Sequence, residues 1–151
     1  MIEIERKFLV ETLDFVSDAF DKKTIRQGYL NRDTHRTVRV RSVNGSGFLT
    51  IKGKSSSNGM RRFEWEKEIP LGEAEALLKI ALPSIIEKDR YYIKAENHIF
   101  EVDIFHGHLK GLIMAEVELK TEKEAIAFPN WIGKEVTGDE KYYNLFLSST
   151  E

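Results

Sequence analysis

Apolar and charged residues alternate along most of this chain, starting at its first residues. In residues 1–10, MIEIERKFLV, Glu3, Glu5 and Lys7 stand two apart, with Ile2 and Ile4 on the intervening positions. Residues two apart share a face of a β-strand, so the stretch predicts a strand with one charged and one apolar face. The period returns in residues 24–31 and in 35–43, where Arg39 and Arg41 oppose Val38 and Val40. It continues in 47–54 (Lys52 against Leu49 and Ile51) and 61–69 (Arg62, Glu64 and Glu66 against Phe63 and Trp65). Three more segments repeat it: 85–95 with Lys88 and Arg90, 98–105 with Glu101 and Asp103, and 112–120 with Glu116 and Glu118. Residues 12–20 predict a short helix with Thr12 as N-cap, and 71–82 an amphipathic helix ended by Pro83. An aromatic-rich tail, 128–146, leads into a terminal helix expected near 140–147. The sequence SSSNG at 55–59 predicts the most flexible loop. About eight antiparallel strands is near the number that closes into a small barrel, and closure removes exposed strand edges.

The alternation leaves two arrangements open. Charged faces can point to solvent around one apolar core, as in a half-buried sheet. Alternatively the sheet closes with the charged faces inward and the apolar faces packed under outer helices. Residue choice favours the second. The charged positions repeat as short doublets (Glu-x-Glu, Arg-x-Arg, Lys-x-Arg, Glu-x-Asp) rather than as a mixed polar surface. Charges buried in a lumen must be paired or hold ions. Carboxylates in one place and cations in another suit a divalent cation on a polyphosphate, with guanidinium forks on phosphate oxygens.

Composition narrows the field. Charged residues make up 32% of the 151, above the ~25% of ordinary soluble domains, yet the formal net charge is only -2. This balance argues against a nucleic-acid or anionic-membrane binder held by bulk positive charge. The absence of cysteine removes disulfides, thiolate metal sites and cysteine nucleophiles, and fits a reducing compartment. No apolar run approaches the roughly 18 residues of a membrane span, and the early charges speak against a signal peptide. The expectation is one cytoplasmic domain over residues 1–151, monomeric or homodimeric. No Ser-His-Asp pattern, P-loop or glycine-rich cradle suggests another chemistry. His35, His98, His106 and His108 fall outside the acidic doublets, and His106-Gly107-His108 reads as a turn.

The segment Glu3-Ile4-Glu5-Arg6-Lys7 resembles the Glu-x-Glu-x-Lys signature of the CYTH domain, or triphosphate tunnel metalloenzyme, superfamily. The likeness continues through Gln27-Gly28-Tyr29-Leu30, Val38-Arg39-Val40-Arg41, Thr50-Ile51-Lys52-Gly53, Glu64-Trp65-Glu66 and Lys88-Asp89-Arg90-Tyr91. It runs on through Glu101-Val102-Asp103 and Glu116-Val117-Glu118 to a tail of Trp131–Thr137 and Tyr143-Asn144-Leu145 like that of small bacterial members. The resemblance implies a closed eight-stranded antiparallel β-barrel, mainly β with a few outer helices, whose charged lumen binds a triphosphate and a divalent metal. It implies hydrolysis of a small-molecule triphosphate, inorganic triphosphate above all. Related members are thiamine triphosphatases, RNA 5′-triphosphatases and class IV adenylyl cyclases. A non-catalytic polyphosphate-binding module is the competing reading from outside the enzymes.

Carried onto this chain, the resemblance assigns Mg²⁺ or Mn²⁺ to Glu3, Glu5 and Glu118, with Glu116, Glu101 and Asp103 as candidates for a second metal or its water shell. Arg39, Arg41, Lys52, Arg62, Lys88 and Arg90 become phosphate clamps, and Lys134 a cation at the tunnel mouth. Lys7 is expected to bind a terminal phosphate or to orient or deprotonate the attacking water, with Tyr29 coupled to it. Glu64 and Glu66 are expected to pair with neighbouring cations. Arg6, Arg26, Arg32 and Arg36 fall off the charged pattern and read as surface.

Overall fold

The computed structural model describes residues 1–148, so the last three residues of the expected domain lie outside it. Eight strands close into one barrel: β1 (Ile2–Leu9), β2 (Asp21–Tyr29), β3 (Arg36–Val43), β4 (Ser46–Gly53), β5 (Arg61–Ile69), β6 (Ile86–Ala95), β7 (His98–Phe105) and β8 (Ile113–Glu118). All pairings are antiparallel, in the cyclic order β1-β5-β4-β3-β2-β6-β7-β8. The chain leaves β3 for β4 through Asn44 (φ 47) and Gly45 (φ 86), left-handed residues that match a two-residue hairpin to strand twist. Strand β2 starts earlier than its alternation suggests. The cross-strand pairs Asp21↔Tyr92 and Lys22↔Tyr91 extend it along β6.

The apolar faces lie outside the barrel and make two cores there. The larger gathers Ile4, Phe8, Ile93, Phe100, Val102, Ala115 and Val117 under Phe15 and Trp131. The second seats helix α1 (Leu71–Ile80) on the sheet through Ala74 and Leu78 against Val40. A third cluster lies at one end of the lumen. Ile86, Phe105 and Met114 follow the same strand faces as Lys88, Asp103 and Glu116, and they pack with Leu109 and Leu147. The tail supplies Leu147 from helix α2 (Asn144–Leu147), so the barrel is corked at this end.

Residues 12–20 do not form the expected helix. They hold a single 3₁₀ turn, Val16–Asp18, and Thr12 Oγ1 accepts only a 3.4 Å bond from the Asp14 amide. Leu13, Val16 and Phe20, the residues that would have made a helical stripe, are exposed at 60%, 38% and 61%. A nine-residue segment without a buried face is too short to sustain a helix. Phe15 is its one fully buried side chain, with its ring 5.7 Å from Tyr91 and 5.6 Å from Trp131, while Ala19 packs on the same core. The terminal helix is likewise divided into a 3₁₀ turn, Glu140–Tyr142, and the short α2. Phe15→Ala removes the one fully buried side chain of this strap and should lower unfolding free energy by about 3–5 kcal/mol in urea titrations. A loss below about 1 kcal/mol would mean that the strap adds little to the outer core.

Candidate active site

Cross-strand register brings the charged doublets together inside the barrel. Glu5 stands opposite Glu118 and Lys7 opposite Glu116 on β8, while Glu3 faces Arg62 on β5. Arg39 pairs with Tyr29 on β2 and Thr50 on β4, and Lys52 pairs with Glu64. All the candidate site residues except Asp103 and Lys134 line one internal cavity of about 190 Å³. Thus the charged faces point inward.

Asp103 and Lys134 are placed differently from the roles first assigned to them. Asp103 stands opposite Arg90 across β6 and β7, and the guanidinium takes both its oxygens, at 2.8 and 2.9 Å. Lys88 adds a third contact at 2.9 Å, so the carboxylate is spent on cations. Lys134 is exposed and lines no part of the cavity; Thr137 and Gly138 of the same tail do. The bridge between Phe8 and Glu135, with backbone bonds from Leu9 N–H to the Lys134 carbonyl and from Val136 N–H to the Lys7 carbonyl, joins this segment to the edge of β1 and leaves the Lys134 side chain exposed.

The ion pairs divide the cavity. Glu66 Oε2 accepts from Thr50 Oγ1 at 2.6 Å and from Arg41 at 3.1 Å, and lies 3.6 Å from Arg39. Arg39 also donates to Thr50 at 3.2 Å. Lys52 bridges Glu3 at 3.0 Å and Glu64 at 3.2 Å. Both arginines have a buried Nε with no partner among the described residues, as has Gln27 Oε1. Buried donors of this kind are costly unless a ligand or water satisfies them. Lys7 Nζ lies 3.9 Å from Glu116, donates to the Tyr142 carbonyl at 3.5 Å and sits 5.4 Å from the Tyr143 ring. Tyr29 is buried, and its hydroxyl accepts from Gln27 Nε2 at 3.5 Å.

Residues that the alternation did not nominate complete the site. Thr37 accepts from Arg62 at 3.0 Å, and Lys88 donates to Asn144 Oδ1 at 3.3 Å. Tyr143 and Asn144 arrive from the tail, where the strand period has ended and no local pattern points inward.

A model of the CYTH domain matches residues 1–146. The chain belongs to the CYTH domain family. An inorganic triphosphatase of Acetivibrio thermocellus is 44% identical over 143 residues, 94% of this chain and 90% of its own length. One from Nitrosomonas europaea is 40% identical, covering 98% and 97%. A crystal structure of an inorganic triphosphatase superposes with a TM-score of 0.70 at 35% identity, covering 99% of both chains.

Electrostatics sort the acids of this CYTH barrel into two kinds. Glu116 is pushed up by burial but held far below the usual carboxylate range by Lys7, Arg90 and Lys88. Glu5 goes the other way: burial, then Glu116 and Glu3, hold its carboxyl well above the ordinary value. It has no ion pair among the described residues, and burial and Glu3 likewise raise Glu118. A buried carboxyl set beside like charges is a donor set that a hard divalent cation would neutralise, and in this sense the residues fit one. As placed, no group of three acidic, histidine or cysteine side chains among the described residues already stands ready to hold an ion, and Glu3 is paired with Lys52. On the basic side, burial lowers Arg41 to about 10 and Lys88 to about 8.

Lys88 supplies a pH test. Between pH 8 and its unfolded-state value near 10.5, the folded protein gives up this proton before the unfolded chain does. The unfolded chain then binds more protons, so this group raises stability with pH across that window. The unfolding free energy of wild type relative to Lys88→Met should therefore grow between pH 8 and 10. A difference that stays flat or shrinks would show that burial does not dominate the Lys88 site.

Proposed function

We propose that this chain hydrolyses triphosphates at a terminal phosphoryl group, inorganic triphosphate foremost, releasing orthophosphate and pyrophosphate. The observation that carries the reading is the pair of buried, partnerless Arg39 and Arg41 Nε donors in a cavity shared with Lys52, Lys88, Arg90 and clustered carboxylates. A linear polyanion with oxygens on several phosphorus atoms can satisfy such donors, where a single small anion reaches few of them. The high identity to inorganic triphosphatases over nearly the whole chain supports the same substrate.

Arg39 and Arg41 bind the bridging and internal phosphate oxygens, with Thr50 holding one outer nitrogen of Arg39 and Glu66 one of Arg41. Asp103 orients Arg90 through two bonds, making it a positioning residue rather than a ligand. Lys7 and Lys88 lie at the corked end and receive the terminal phosphoryl group. The protein's contribution is positioning and fixed charge for an in-line attack by water, with no covalent intermediate. The new bond joins water oxygen to the terminal phosphorus, the bridging P–O bond breaks, and the charge left on pyrophosphate falls on the arginines. Glu3, Glu5 and Glu118, with Glu116 and Glu101 as further acids, would hold Mg²⁺ or Mn²⁺, which would supply Lewis-acid neutralisation of phosphate charge when bound.

Phosphate release from inorganic triphosphate should require Mg²⁺ or Mn²⁺ and fall at least ~100-fold in Glu5→Gln, the scale of losing a main electrostatic element of a site. Arg41→Ala should cost about 10–100-fold in kcat/KM, the scale of one charge-assisted hydrogen bond. Cyclic AMP and pyrophosphate from ATP, with no phosphate from triphosphate, would replace this reading with a cyclase.

A further inference from the structure

Beside the active-site cavity lies a second chamber of about 560 Å³ that the proposed reaction does not use. Three segments build it: the β2–β3 connection with His35, the 54–57 loop with Lys54, and the tail with Glu140 and Tyr143. Arg62, Tyr143, Gly59 and Gly138 line both chambers. The wall between them is therefore thin. A Cβ on Gly59 would stand 2.2 Å from the Gly138 Cα and 3.4 Å from the Tyr143 hydroxyl, so two glycine backbones meet there beside Tyr143.

The chamber is suited to an anion. Lys54 is exposed, with no ion pair among the described residues, and Arg62 is fixed by bonds to the Gly53 carbonyl at 2.5 Å and to Thr37. The hydroxyls of the 55–57 loop and His35 stand opposite one acid, Glu140. Its position relative to the corked end adds a second argument. The Lys88 side chain is 1% exposed and that of Lys7 10%, whereas the Glu101 and Glu66 side chains reach 31% and 29%. An orthophosphate cleaved beside Lys7 and Lys88 has pyrophosphate between it and those more exposed side chains. The cork of Phe105, Met114 and Leu147 closes the other direction, which leaves the wall shared with the second chamber, where Tyr143 stands with Ser55, Arg62 and Leu145.

We propose that this chamber is a phosphate-binding exit: orthophosphate released at the corked end passes Tyr143 and is taken up by Arg62, Lys54 and the 55–57 loop. The inference rests on the triphosphatase reading of the neighbouring cavity. The far end of a chain longer than three phosphates has the same chemistry and is the other possible source of a ligand here.

The full chain, with pyrophosphate bound, would be titrated with orthophosphate while amide NMR shifts are followed. Shifts are expected at His35, Lys54 and Ser55, and Lys54→Glu should abolish them while leaving single-turnover cleavage of triphosphate unchanged. Shifts confined to Lys7, Tyr29 and Lys88 would overturn the proposal. Rapid-quench cleavage would then be compared with phosphate-sensor release. In Tyr143→Trp, release should lag cleavage by about tenfold, as when product release limits turnover. Release that keeps pace with cleavage in both Tyr143→Trp and Lys54→Glu would also overturn the exit. So would a Lys54→Glu variant that loses only cleavage of inorganic tetraphosphate, which would assign the chamber to longer chains. If wild type cleaves no triphosphate, the active-site reading fails, and the orthophosphate titration still tests the chamber.

Discussion

Burying charge of both signs inside a closed sheet is the constraint on which this structure turns. Each ion taken from water costs several kcal/mol unless a partner compensates it. The deepest ions meet that demand by pairing: Lys88 and Asp103, 1% and 2% exposed, share a network with Arg90. Others do so only in part. Glu5 is flanked by like charges, and Arg39 and Arg41, though near Glu66, each keep a buried nitrogen without a partner among the described residues. Charge is thus settled where it builds the wall and left unsettled where a polyanion and its metal would complete it.

That division also explains where the hydrophobic stabilisation lies. A lumen of ions contributes little apolar burial, so the cores form on the outside of the sheet, under Phe15 and Trp131 on one side and α1 on another. Only at the corked end does an apolar layer enter the lumen, on the same strand faces that carry Lys88 and Glu116 one step away. The barrel is a cup whose closed end is made by the tail. This tail also provides a carbonyl to Lys7 and an amide oxygen to Lys88, acceptors of the kind a phosphate offers. It therefore belongs to the site as much as the strands do.

Most of the barrel and much of its lining could be read from the alternation. Period two is a local property of the backbone, and Glu3, Glu5, Arg39, Arg41, Lys88 and Arg90 follow it without interruption. Thr50 was legible only as a polar residue on the right face; its bonds to Arg39 and Glu66 depend on how β3, β4 and β5 align. Residues 12–20 misled because a spacing of apolar residues can suggest a helix even when only Phe15 is fully buried.

By itself the sequence determined which segments are strands, which side chains share a face, and that the charges fall in doublets suited to metal and phosphate. Tertiary structure alone decided that those faces turn inward, because closure depends on all eight pairings at once. It also decided that Asp103 is committed to Arg90, that Lys134 stays outside, and that Tyr142, Tyr143 and Asn144 meet Lys7 and Lys88. Lys7 and Tyr142 are 135 residues apart in the chain, and such a contact leaves no periodic trace in either segment. Local sterics write the alternation into every short stretch, whereas the pairing of buried charges is settled only when distant strands and the tail come together.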